Sequence, residues 1–183
     1  MAYVSTYGID IESFTESDTI MIDEPDSDGV SRGPHPFTAN VQGEGGDVSG
    51  YEVGAKMALS DFLGDDSIFA NFGVDANYTF SESSQDAKDI HGDDLPFVGM
   101  SKDTYNFVLW YENETFSARA AYNARSPRLM TAGNANTGNQ SLYQDDYAQL
   151  DVNVTYKWDE NISLYINGSN ITEEYQQTYV EFS

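Results

Sequence analysis

Stretches of two-residue alternation with no charge on the apolar side constrain this chain more than any other feature. Ile68, Ala70, Phe72, Val74, Ala76, Tyr78 and Phe80 form one apolar stripe, with Asn71, Asp75, Asn77 and Thr79 between them. The pattern returns at Ala148, Leu150, Val152, Val154, Tyr156 and Trp158, against Gln149, Asp151, Asn153, Thr155 and Lys157. Successive side chains of a strand point to opposite faces, so a period of two means strand. Glu52, Lys56, Asp75, Arg119, Arg125, Asp151 and Lys157 all fall on polar stripes. A sheet built this way has one wet face. Its other face meets either a protein core or lipid.

The same criterion predicts seven strands, at about 2–14, 48–60, 67–81, 103–113, 115–126, 146–158 and 161–169, and no helix. The first is the least regular, with Tyr7, Ile9 and Ile11 opposite Asp10 and Glu12. Short turns are expected at 61–67, 112–115 and 159–161. Long polar loops are expected at 15–47, 82–102 and 127–145, and another after Asn170. Long and short alternate. In an antiparallel meander this puts every long loop at one end, as in outer-membrane barrels. Soluble sandwiches lack that asymmetry.

Length and aromatic placement point the same way. The stretch 68–80 would run about 43 Å at ~3.3 Å per residue, rising about 30 Å at a ~45° tilt, which matches a hydrocarbon core. Tyr111, Phe116, Tyr156 and Trp158 lie on apolar stripes beside short turns, while Tyr78, Phe80, Tyr105 and Tyr122 lie near long loops. Ala70, Val74, Ala120, Val152 and Val154 occupy the middle. Aromatic girdles around an aliphatic band mark a membrane-crossing sheet. The sequence is therefore read as an all-β, antiparallel up-and-down transmembrane barrel segment.

Composition excludes several functions. Eight basic against 31 acidic residues give a net charge of −23. Nucleic acid is excluded as a partner, because phosphate binding needs clustered cations. The absence of cysteine excludes disulfides, zinc thiolates and thiol catalysis. High acidity also suits a saline habitat. No stretch approaches the ~18 apolar residues of a membrane helix, but barrel strands carry a much weaker signal.

The segment Leu95-Pro96-Phe97-Val98-Gly99-Met100-Ser101-Lys102-Asp103-Thr104-Tyr105-Asn106 resembles part of the TonB-dependent outer-membrane receptors. So does Phe116-Ser117-Ala118-Arg119-Ala120-Ala121-Tyr122-Asn123-Ala124-Arg125-Ser126. Asp151 to Tyr156 with Trp158, then Ile166-Asn167-Gly168-Ser169-Asn170-Ile171-Thr172-Glu173-Glu174, is similar to the family's late strands, with Glu173 in place of the usual Asn or Asp. Val48-Ser49-Gly50-Tyr51-Glu52 resembles a strand start there. The resemblance runs from about Asp47 to Thr172. It implies the C-terminal part, seven or eight strands, of a barrel of about 22 strands. It further implies an integral place in the bacterial outer membrane, among lipid and lipopolysaccharide, and uptake of a small nutrient with TonB-derived energy. The Ser-Lys and Phe-Ser-x-Arg segments resemble members that import oligosaccharides more than those for ferric siderophores. No enzyme activity and no cofactor are implied.

On this reading the plug domain, with its contact to the TonB complex, and the final barrel strand are expected to be missing, although Tyr179-Val180-Glu181-Phe182 imitates a closing strand. Seven strands would leave two open edges. The competing readings are a stand-alone surface or adhesion protein using its acidic loops, and a soluble β-barrel carrier.

Arg119 and Arg125 are the candidate cargo contacts, with Asp151 as a further lumen-facing residue. A guanidinium offers planar, bidentate hydrogen bonds to carboxylates, phosphates or sugar hydroxyls. The plainer role is ion pairing with Asp75 or Asp151. Glu24, Asp26, Asp28 and Gly29 match part of a calcium loop, but His35 stands where the closing Glu should be, and a solvated acidic loop is the default. His35 and His91 have no ligand cluster around them, so no metal is expected. The run 131–139, rich in Gly, Asn and Thr, is expected to be mobile.

Overall fold

A computed structural model describes residues 1–13, 15–25, 27–31, 33–42, 45–64, 66–133, 138 and 140–181. The long strands are β1 (Ala2–Ile11), β4 (Gly46–Ala58), β5 (Phe72–Lys88), β7 (Asp103–Glu112), β8 (Phe116–Arg125), β11 (Tyr147–Lys157) and β12 (Ser163–Gly168). They pair antiparallel in the order β1-β4-β5-β7-β8-β11-β12, with β6 (Asp94–Leu95) added beside β5, making an open sheet of eight strands. All seven expected strands are present as an all-β meander, and every pair is antiparallel.

Register settles the two faces. Val53 pairs with Tyr78, Tyr78 with Tyr105, Tyr105 with Ala124, and Ala124 with Ala148. Paired residues share a face, so the apolar stripes merge into one continuous surface. The other face carries Glu52, Lys56, Asp75, Arg119, Arg125, Asp151 and Lys157, as expected from the alternation.

Among the described residues no layer covers the apolar face. Phe107 and Leu109, in mid-sheet, are 46% and 41% exposed. Among the described residues the buried apolar side chains are Val48, Leu95, Val108 and Leu129. A soluble carrier would bury that face in its own core, so the fold matches the lipid alternative.

Two aromatic rows flank the face. At the loop end Tyr51 stacks on Phe80 (5.3 Å) and Tyr78 on Tyr105 (4.9 Å). At the turn end Phe72 meets Tyr111 edge-on (4.8 Å), Tyr111 meets Phe116 (5.9 Å), and Tyr156 meets Trp158 (6.3 Å). The stripe from Phe72 to Phe80 falls in the 9–11-residue range that a tilted transmembrane strand needs.

Several expectations are corrected. The strand expected over 67–81 starts at Phe72 and continues to Lys88. Ile68 and Ala70 lie in a turn in which the Ser67 hydroxyl accepts the Phe69 amide (3.2 Å) and the Ser67 carbonyl accepts Ala70 (3.0 Å). Local serine bonds thus displace the ladder there. Before that turn stands one short helix, α1 (Ser60–Leu63), ended by Gly64 at φ 80°. The turn expected at 61–67 is therefore a longer connection. The other two are tight: Asn113 Oδ1 accepts the amides of Thr115 and Phe116, and Asp159 Oδ1 those of Asn161 and Ile162. Both are Asx turns.

β1 turns over. Its register sets Tyr3 against Gly54, Tyr7 against Gly50 and Ile9 against Val48. Tyr7, Ile9 and Ile11 therefore join the charged face, and Asp10 joins the apolar one. The glycines explain it, because a Cβ at Gly54 or Gly50 would run into the Tyr3 or Tyr7 ring. Trp110 covers Gly73 in the same way on β5.

The expected long loops hold structure. β2 (Thr15–Ile22) and β3 (His35–Gln42) form a separate hairpin within 15–47. β9 (Arg128–Thr131), β10 (Leu142–Gln144) and β13 (Thr178–Val180) form a second sheet, ordered β13-β10-β9. β9 follows β8 and β10 precedes β11 across short breaks, and β13 follows β12 after the 169–177 connection, so this sheet repeats the order of β12, β11 and β8. Pro127 makes one break, since it has no amide to donate. Here lies the compact part of the molecule, with Leu95, Leu129 and Ser141 almost wholly buried and Gln85 and Gln144 beside them. The calcium-like run includes Asp26, and most of 131–139 and Phe182 likewise lie outside the described residues.

Candidate functional site

The charged face is the surface able to meet a polar ligand, and hydrogen bonds organise it into separate groups. On the β1 side, Tyr3 and Asn77 both donate to Glu52, and Asn106 donates to Asn77 Oδ1 (3.0 Å). Lys56 pairs with Asp75 at 3.4 Å, with the lysine mostly exposed. On the β12 side, Tyr147 donates to Gln149 (3.0 Å) and Gln149 to Asp151 (2.7 Å).

Asp151 is engaged by its own chain. Its Oδ1 also accepts from the Ser169 hydroxyl (2.9 Å) and the Asn170 amide (2.8 Å). It closes the turn after β12, where Asn170 sits at φ 51° and exchanges two bonds with Glu174. The Asn-Ile-Thr run seen in the sequence is this turn, and Ile171 donates to the Leu150 carbonyl (2.9 Å) to hold it on the sheet.

Arg125 stands at the break between the two sheets. Its Nη1 donates to the carbonyls of Ser126 (3.2 Å) and Asp145 (3.1 Å), and its guanidinium lies 5.8 Å from the Tyr147 ring centre. Those carbonyls belong to the residues where β8 and β11 leave the main ladder. A buried carbonyl needs a donor, so Arg125 caps the interruption. Its Nη2 is buried with no hydrogen-bond partner among the described residues.

Arg119 differs. It pairs with Trp110 on one side and Asn153 on the other, toward the turn end of the sheet. With Lys56, Asp75, Trp110, Glu112 and Asn153 it lines an open cavity of about 470 Å³. Among the described residues no carboxylate lies within ion-pair distance of it. The expected pairing of Arg119 or Arg125 with Asp75 or Asp151 is not formed. Asp75 is taken by Lys56 and Asp151 by neutral donors. The three predicted residues are also not one site: Arg119 lies near the turns, while Arg125 and Asp151 serve the loop end.

At that loop end the sequence reading missed a second cluster, Lys102, Arg128, Tyr143 and Tyr179, around a cavity of about 290 Å³. Its signal was available, because basic residues are scarce in this chain. Among the described residues there is no group of His, Asp and Glu able to hold a metal ion. Nor is any helix long and apolar enough to cross a membrane, which says nothing of a β-barrel.

A single antiparallel layer with one face apolar, exposed and banded by aromatics, and the other charged, is the wall of a membrane β-barrel. The sequence matches the family described as "TonB dependent receptor-like, beta-barrel" over residues 2–171, and the chain belongs to that family. Comparison with curated proteins and with solved structures gave no match. The family comprises outer-membrane receptors and transporters rather than enzymes. The apolar face is thus the lipid face and the charged face the lumen.

Proposed function

We propose that this chain is a sector of the C-terminal part of a wide receptor barrel, and that the transporter imports an oligosaccharide rather than a ferric siderophore. The open sheet, with β1 and β12 each paired on one side, supports the larger barrel. One observation carries the cargo reading: Arg119 is uncommitted in an open, aromatic-walled lumen cavity. A ring face beside unengaged hydrogen-bond donors suits a sugar, which presents both apolar C–H faces and hydroxyls. Arg125 and Asp151 act as positioning residues, since their bonding capacity goes to turns and breaks. The remaining partners of this reading are outer-membrane lipid, lipopolysaccharide and the TonB complex.

The test is growth of cells carrying the full-length receptor on oligosaccharides as sole carbon source, against growth on ferric siderophore under iron limitation. Arg119→Ala should lower oligosaccharide uptake roughly ten-fold, the loss of one charge-assisted hydrogen bond, and leave iron acquisition unchanged. Loss of iron acquisition with intact sugar uptake would overturn the reading.

A further inference from the structure

Glycines on the charged face carry aromatic rings laid against the sheet. The Tyr3 ring crosses Gly54, and the Trp110 indole covers Gly73. A side chain at either glycine would push the ring away, so each ring keeps one face on the backbone and turns the other to the lumen. Register puts the two in one row. Tyr3 pairs with Gly54, while Gly73 pairs with Ala58 on one side and Trp110 on the other. Counted along β4, the rings therefore stand at positions 54 and 58, about 13 Å apart at ~3.3 Å per residue. Tyr7, over Gly50, continues the row by an equal step toward the loop end. Lys56 and its partner Asp75 lie midway between Tyr3 and Trp110, on the same face. The Tyr3 ring is fixed, since its hydroxyl donates to Glu52 and accepts from Asn77 Nδ2 (2.9 Å). Beside it lies a cavity of about 300 Å³, lined on this face by Tyr3, Lys56, Asp75, Asn77, Asn106 and Val108. Lys56 and Asp75 also line the cavity of Trp110 and Arg119, so the two hollows adjoin. Lys56 is mostly exposed and 3.4 Å from Asp75, a pairing worth little in water, which leaves it able to turn to a ligand. Asn106 donates to Asn77, and among the described residues nothing donates to its own side-chain oxygen.

We infer that the Tyr3 cavity is a second sugar subsite, in line with that of Trp110 and Arg119, and that the cargo binds as a neutral oligosaccharide chain lying along β4 and β5. A pyranose ring presents an apolar C–H face, which packs on an aromatic ring, and a rim of hydroxyls, which need donors and acceptors. Tyr3 supplies the face, and Asn106 and Lys56 supply the rim. Trp110 and Arg119 do the same one step toward the turn end. The spacing of about 13 Å exceeds the reach of one sugar unit, so only a chain touches both rings, with Lys56 and Asp75 beside the units between. Glu52 and Asp75 border the hollow and repel an acidic sugar. Both rings are held in place before the cargo arrives, so little freedom is lost on binding. The inference rests on the carbohydrate reading of the cargo and extends its single subsite to a row.

The experiment is calorimetric titration of the full-length receptor in detergent micelles with maltopentaose, cellopentaose and xylopentaose, the matching disaccharides, and a ferric hydroxamate. At least one pentaose should bind about ten-fold tighter than its disaccharide, the worth of a second stacked ring. Tyr3→Ala should erase most of that advantage without altering disaccharide binding, whereas Tyr3→Phe, which keeps the ring, should retain most of it. Gly54→Ala should act like Tyr3→Ala, because the added methyl displaces the ring. Should those variants misfold, Asn106→Ala carries the test, with a smaller loss confined to the pentaose. Equal binding of pentaose and disaccharide, or a pentaose advantage untouched in the folded variants, overturns the second subsite and leaves the carbohydrate reading standing. Binding of the ferric hydroxamate alone, or of no sugar at all, overturns both.

Discussion

The most apolar region of this chain is exposed, and one of its most polar regions is packed. On the outer face of the main sheet Tyr105, Phe107 and Leu109 are left uncovered, whereas at the loop end Leu129 and Ser141 are fully buried. The difference reflects the solvent. Lipid tails are as apolar as the side chains they touch, so the membrane face needs no partner layer and only has to exclude charge. The loop end stands in water and must bury its own apolar groups to hold any shape.

That contrast can be broken from either side. Leu129→Ala should have the largest effect, about 2–5 kcal/mol, because it empties a fully buried site. The damage should be confined to β9, β10 and β13. Protease accessibility of that segment in whole cells, with the barrel still folded by gel mobility, reports it. Leu109→Arg places a charge on the lipid face at a cost of about 2–4 kcal/mol. It should lower the yield of folded protein in the outer membrane, while Asn123→Arg on the opposite face should leave the yield within error. If both arginines were tolerated equally, the assignment of faces would be wrong.

A smaller effect tests the join between the regions. Arg125→Ala leaves the carbonyls of Ser126 and Asp145 without their donor, at about 1–3 kcal/mol. Faster hydrogen exchange in β9 and β10, with exchange in β5 and β7 unchanged, is the expected signature. The smallest effect concerns pH. Asp89 accepts the amides of Asp93 (2.9 Å) and His91 (2.8 Å) at the tip between β5 and β6. These bonds, the Asp93 one foremost, hold its carboxyl below its ordinary value of 3.8. A depressed carboxyl stabilises the turn above its unfolded value, and the stabilisation is lost as pH falls through the folded value. The His91 and Asp93 amides should therefore stay protected at neutral pH and open only in acid beyond the ordinary aspartate range. Loss of protection near pH 6 would contradict this.

The existence and order of the seven long strands were legible, since alternation is written along each strand and needs no partner; the six short strands in the expected loops were not. For β4, β7, β8 and β11 the lipid and lumen faces were legible too. What failed was β1, where Tyr7, Ile9 and Ile11 looked like a lipid stripe. Their destination depends on Gly50 and Gly54 across the ladder, some forty residues away. The start of β5 failed as well, because Ser67 offered the backbone nearer hydrogen bonds than the ladder did. The long loops were read by composition, which says nothing of a core as small as Leu95 and Leu129. Arg119, Arg125 and Asp151 were legible as residues of the charged face, but which of them is engaged by its own chain was not, because spacing does not show the partners of Arg125 and Asp151.

By itself, then, the sequence determined that this chain forms an antiparallel sheet with one face for lipid and one for water. That property is periodic, and each strand carries its share. The tertiary structure decided which way β1 faces, where the ladder breaks, and which cations stay uncommitted. Those depend on register and on neighbours distant in the chain, so a pairing across strands sets them and no local pattern does.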